Sequence, residues 1–134
     1  MTAMNAARQP VEMEGVYSSA PMKGATTILQ GALAVMENGL AVPGKTALNL
    51  IILGISEETV VNAGADGAAK VPTKRGVFKF FNHGDDTILV GDVGKDCYLV
   101  DDQTVAKTSG TNTRSVAGKI ISVESDGVFV RVGY

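Results

Sequence analysis

Apolar residues fall in short runs along the chain, each closed by glycine, proline, asparagine or aspartate. Ile28-Leu29 and Ala32 to Met36 lead to Asn38-Gly39, a dipeptide that readily takes the positive φ angles of a two-residue hairpin turn, and Leu40 to Val42 returns. The spacing Ile28, Ala32, Val35, Met36 also fits a helical face. Gly31 and Gly39 weaken a helix there, so the strand reading is preferred. Leu48 to Ile55 is nearly continuous and Ile-rich, with Gly54 near its end, which suits a strand buried on both faces or crossing between two sheets and makes it the expected centre of the core. Val60-Val61 is a fragment, and Asn62 to Ala69 reads as a Gly/Ala loop. Val77, Phe78, Phe80 and Phe81 form the expected aromatic cluster, with Lys79 facing away, and Asn82 to Thr87 turns the chain.

The last third has the clearest pattern. Cys97 to Val100 and Thr104 to Ala106 are paired strands around the turn Asp101-Asp102-Gln103, followed by a polar loop over Thr108 to Thr113. Val116 to Val123 and Val128 to Val132 flank Asp126-Gly127, a second hairpin signal. Val128, Val130 and Val132 fall on one face, Phe129 and Arg131 on the other. Together these give about eight to ten short strands, and closure or face-to-face packing is how such strands bury their apolar sides. The expected fold is all-β: a small barrel or sandwich of short antiparallel strands over residues 24–134. Residues 1–23 show neither alternation nor a helical stripe and read as an extended N-terminal arm.

Composition sharpens this picture. A chain of 134 residues is one domain's worth, and with aromatics at 5% and no Trp the core must be built of small branched side chains. The 16 glycines are scattered rather than periodic, as many tight turns require. Twelve basic against fourteen acidic residues give a net charge of −2, with no segment concentrating Lys or Arg, so nucleic acid is not an expected partner. Cys97 is the sole cysteine; it cannot form an intrachain disulfide and reads as a packed small hydrophobe, in a cytosolic or virion setting. Met1 to Pro10 lacks the pattern of a signal peptide, and no apolar run approaches the roughly 20 residues of a membrane span. A soluble, unexported chain is expected.

Candidate chemistry is sparse. Gly39, Gly44, Lys45 and Thr46 satisfy the G-x-x-x-x-G-K-[ST] pattern of a phosphate-cradling loop. That chemistry needs a helix directly after the loop, whereas the run after Thr46 is strand-like and Val42-Pro43 stiffens the approach. The pattern is read as a coincidental loop. His83, the sole histidine, reads as a solvated loop residue rather than a catalytic base. Asp85-Asp86 and Asp101-Asp102 lack the ligand spacing of a calcium loop and read as turn residues that bond the local backbone. Gly91-Asp92-Val93-Gly94-Lys95 reads as a turn feeding the Cys97 strand. No catalytic residue, metal or cofactor is assigned. What remains distinctive is the arm, where Met4, Val11, Met13, Val16 and Tyr17 are apolar anchors in a polar segment; anchors without a local core point to a partner, since an extended arm can add to a sheet edge. The alternative is an arm folded back on its own barrel.

An ordered set of turn and strand residues carries a family resemblance: Gly31-Ala32-Leu33 with Asn38-Gly39 and Pro43, Leu53-Gly54-Ile55, Arg75-Gly76-Val77-Phe78, Val93 to Tyr98, Asp101 to Val105, Ala117 to Ile120, and Val123 through Asp126 to Val130. From about Gly24 to Tyr134 the chain resembles the tailed-phage capsid cement, or head-decoration, family. The resemblance implies a β domain that binds the outer surface of an assembled shell of major capsid protein, as a homotrimer in preference to a dimer, with no active site. Another virion part, such as a tail-tube or head-completion subunit, shares the composition and is the alternative, with a nucleotide-binding protein a distant third.

Overall fold

The computed structural model describes residues 2–134, and over them the chain is all-β. Twelve strands follow in order: β1 Tyr17–Pro21, β2 Thr26–Ile28, β3 Leu33–Glu37, β4 Leu40–Pro43, β5 Ile51–Ser56, β6 Val60–Asn62, β7 Lys70–Lys74, β8 Gly76–Asn82, β9 Asp96–Leu99, β10 Thr104–Ala106, β11 Val116–Glu124 and β12 Gly127–Val132. A single 3-10 turn at Val90–Asp92 is the only helical element among the described residues. Strands β1-β7-β5-β3-β4 make an antiparallel sheet, β10-β8-β12-β11-β9 close into a barrel, and β2 and β6 form a small ladder. The barrel closes through one parallel pair, β8 with β10.

Two apolar cores lie on opposite faces of β3. Leu33 and Val35 join the barrel interior with Phe80, Leu99, Ile120, Val128, Val130 and Val132, while Ala34 faces a second core with Met22, Ile28, Ala41 and Val71. Leu33, Ala34 and Val35 are all fully buried, so β3 takes the central place expected of Leu48 to Ile55. That run is a correction: Ile51 is 66% exposed and Leu48 is exposed, because the barrel covers β3 and leaves the start of β5 overhanging. A bulge explains the rest of β5. Ala34 pairs with Gly54 and Val35 with Ile52, leaving Leu53 unpaired. Ile52 and Ile55 can then both face the barrel core while Leu53 reaches the second one. Gly54 is required there: its φ is 143° and a Cβ would stand 2.5 Å from the Lys74 carbonyl oxygen.

Both hairpins form. Asn38 and Gly39 have φ of 51° and 84°, the two positive values of a type I′ turn. In the second hairpin Glu124 pairs with Gly127, so the turn residues are Ser125-Asp126. Gly127 lies in the strand because the β8 backbone comes close, a Cβ there meeting the Phe80 carbonyl oxygen at 2.7 Å. Val128, Val130 and Val132 point inward and Arg131 outward, as the alternation predicts. The same period divides the expected aromatic cluster: Phe80 is buried and Phe78 packs on the barrel core, while Val77 and Phe81 turn outward beside Lys79. Apart from Met22 and Cys97, the rest of the core is valine, alanine, leucine and isoleucine, in keeping with the composition.

The arm is shorter than residues 1–23. Tyr17–Pro21 pairs with β7 from Tyr17↔Lys74 to Pro21↔Lys70, and Met22 is fully buried in the second core. Only Ala20 in this strand is buried, so YSSAP carries no apolar alternation by which to recognise it. Thr2 to Gly15 carries no strand or helix; Met1 lies outside the described residues. Deleting residues 2–14 is therefore expected to leave a folded chain with a cooperative urea transition and both cores intact. Deleting 2–21 removes the β1 ladder at ~1 kcal/mol net per backbone hydrogen bond, and the urea midpoint falls clearly. Gly118→Ala is expected to destabilise by about 2–3 kcal/mol or more, since its Cβ would stand 2.1 Å from the Arg131 carbonyl oxygen; Gly84→Ala, with open space around it, is the matched control.

Candidate partner-binding surface

The pairing parity of β1 decides which of its backbone groups are free. The Arg75 amide donates to the Val16 carbonyl at 3.0 Å and the Met22 amide to the Ala69 carbonyl at 2.9 Å, so even-numbered residues turn their polar groups toward β7. Tyr17 and Ser19 turn theirs the other way. On that side β4 closes on the chain only at the Met22↔Ala41 bridge, leaving Tyr17 to Ser19 as an open edge. The barrel, by contrast, has no edge.

The anchors read from sequence separate accordingly. Val16 and Tyr17 sit at this sheet edge, half-buried and exposed respectively. Met4, Val11 and Met13 stand exposed on the extended segment, and none belongs to either core. The Arg75 guanidinium organises the root of that segment: its Nε donates to the Gly15 carbonyl and its Nη1 to the Gly133 carbonyl at 3.2 Å. The Tyr134 ring is contacted by two guanidinium groups, Arg75 at 4.6 Å and Arg131 at 3.9 Å from its centroid.

Two surfaces, a mixed cleft and an apolar protrusion, escaped the sequence reading. Phe81 rims an open cleft of about 330 Å³ lined by Gly31, Lys79, Phe80, Gln103 and Asp126, with exposed Leu29 on its smaller neighbour. At the 3-10 turn, Leu89, Val90 and Val93 are all exposed on a segment that is tightly held. Buried Asp92 accepts a hydrogen bond from the Leu89 amide at 2.8 Å and pairs with Lys95 and Lys107, while the Gly94 amide donates to the Ile120 carbonyl. The Leu89 amide, opposed by burial and helped by the two lysines, holds the Asp92 carboxyl below its usual range. The signal was present as an apolar residue on each side of Gly91-Asp92, but glycine drew attention to the backbone instead.

The residues of the catalytic-looking motifs serve the fold. Gly39 makes the first hairpin turn, Lys45 pairs with Glu37 at 2.7 Å, and the Thr46 hydroxyl donates to the Val100 carbonyl; the next element is β5. Asp86 accepts from the Thr108 hydroxyl at 2.6 Å, the Thr108 amide and Arg114, tying the polar loop to the β8 turn. The Thr108 hydroxyl foremost, against the cost of burial, lowers the Asp86 pKa. Asp101 accepts from the Gln103 amide, bonding the local backbone as expected. Burial, with Asp101 adjacent, raises the Asp102 carboxyl. His83 is half-buried, its amide bonded to the Val105 carbonyl. No three His, Cys, Asp or Glu side chains converge as a metal site among the described residues. Comparison with protein-family models, curated proteins and solved structures found no match to the chain.

Cys97 is fully buried in the barrel core, and burial pushes its thiol from 9.0 to about 12. A raised folded-state pKa makes this contribution to stability full below pH 9.0 and lost as pH rises toward about 12. Stability is expected to fall over that alkaline window, and Cys97→Ala to flatten this part of the profile; thiol reagents are expected to label the native chain only in denaturant.

Proposed function

We propose that this protein is a non-enzymatic decoration subunit of a tailed-phage capsid, which binds the outer surface of the assembled major capsid protein shell as a homo-oligomer and stabilises it. The observation that carries this reading is the 3-10 turn. Its buried aspartate and two lysines hold Leu89, Val90 and Val93 out to solvent. A held apolar protrusion supports docking, because ordering it costs nothing further when a partner covers it. The open β1 edge and the apolar anchors of the arm add two more contact points on the same small body. The ordered turn and strand residues that resemble the cement family support the same conclusion. A decorator needs no reaction at any site: weak contacts repeated over a symmetric lattice add to a strong hold.

The decisive experiment mixes purified protein with undecorated shells of the cognate major capsid protein and counts occupied positions by cryo-microscopy. Saturable, stoichiometric occupancy is expected, and bare shells at saturating protein would overturn the reading. Val90→Asp with Val93→Asp leaves both cores intact and is expected to weaken occupancy roughly tenfold or more, since each carboxylate must be desolvated in the contact.

A further inference from the structure

The arm and the open edge of β1 are complementary to each other, yet one chain cannot join them. Val11-Glu12-Met13-Glu14 alternates apolar and acidic residues, the pattern of a strand with one apolar face. Laid beside β1, such a strand meets two different surfaces. On the inner face stand Val16, Ser18 and Ala20, the last belonging to the second core, and Val11 and Met13 would extend the apolar surface on either side of Ser18. On the outer face stand Tyr17, paired with Lys74, and Pro21, paired with Lys70. Neither Lys70 nor Lys74 has a carboxylate within ion-pairing distance among the described residues; the Lys74 ammonium instead lies 5.5 Å from the Tyr17 ring. Glu12 and Glu14 would fall on that same face, two strands away from the lysines, a span of roughly 10 Å that a lysine and a glutamate side chain can bridge.

In its own chain this segment is directed elsewhere. Folding Val11–Glu14 back along β1 would require a two-residue turn at Gly15-Val16. Both residues are already fixed in line with β1, Val16 by the Arg75 amide and Gly15 by the Arg75 guanidinium. The segment therefore leaves past the end of β7, and Val11 is fully exposed.

We infer that Val11–Glu14 of one copy adds as an extra strand to the Tyr17–Ser19 edge of a second copy. The pairing is head-to-tail: each chain gives an arm at one place and accepts one at another, and the rotation between copies sets how many chains close the assembly. This deepens the homo-oligomeric part of the proposed function, but it is read out with no shell present and so fails or stands separately.

Size-exclusion chromatography with light scattering on the full chain is expected to give a multiple of the 13.9 kDa chain mass, falling to a single chain on deletion of residues 2–14. Because the arm lies outside both cores, Glu12→Lys with Glu14→Lys should fold normally and dissociate at about tenfold higher concentration, as should Lys70→Glu with Lys74→Glu. Combining all four changes restores assembly. For the route itself, Met13→Cys and Ser18→Cys chains, whose thiols fall on the same face of the paired strands, are mixed with a short bismaleimide: a crosslinked pair containing one of each is expected. A wild-type monomer at high concentration, an arm-deleted chain of unchanged oligomeric mass, or no mixed crosslink would each overturn the inference.

Discussion

Burial of β3 on both faces is the constraint on which the rest depends. A strand with one wet face can tolerate a displaced neighbour, but Leu33, Ala34 and Val35 allow none, because sliding the strand by one residue would exchange the occupants of two cores at once. The small size of Ala34 suits the second core, which is itself lined by alanines, while Leu33 and Val35 fill the wider barrel. The barrel also grips this sheet through hydrogen bonds that cross between them. Leu33 donates to the Asp102 carbonyl at 2.9 Å, and the buried Ser115 hydroxyl accepts from the Leu50 amide and donates to the Ala47 carbonyl. Two thin cores are thereby tied to each other by backbone and side-chain hydrogen bonds.

Polar side chains follow from the same economy of residues. With aromatics scarce, the loops cannot be held by large apolar contacts, and carboxylates accept hydrogen bonds from the loop backbone instead. Asp86 secures the Thr108 loop, Asp92 the turn after Ile88, and Asp101 the turn between β9 and β10. Each of these aspartates looks like a candidate for chemistry when read as a letter in the sequence, and each is occupied in the folded chain.

What could be read from the sequence depended on where local periodicity and final environment agree. Asn38-Gly39 and the Val128, Val130, Val132 alternation specify their structure within a few residues, and both appear as expected. Leu48 to Ile55 misled because hydrophobicity reports that a residue prefers burial, not which strand the barrel will cover. Tyr17–Pro21 was invisible for the opposite reason: its pairing with β7 is made by backbone, to which Ser18 and Ser19 contribute no recognisable side-chain pattern. Of the arm anchors, position along the chain was legible, but the division at Gly15 between fixed and projecting residues was not. That division is set by Arg75, sixty residues away, through contacts no local rule contains.

Arg75 has one further effect. A single guanidinium spans the Gly15 and Gly133 carbonyls, so the folded part of the chain begins and finishes at one corner. With the arm trimmed to Gly15, peptides or whole domains fused to either end would emerge side by side. The polypeptide is for the same reason a natural subject for circular permutation: a short linker could join Gly15 to Tyr134, and the exposed polar loop at Thr111-Asn112 offers a place to open new ends.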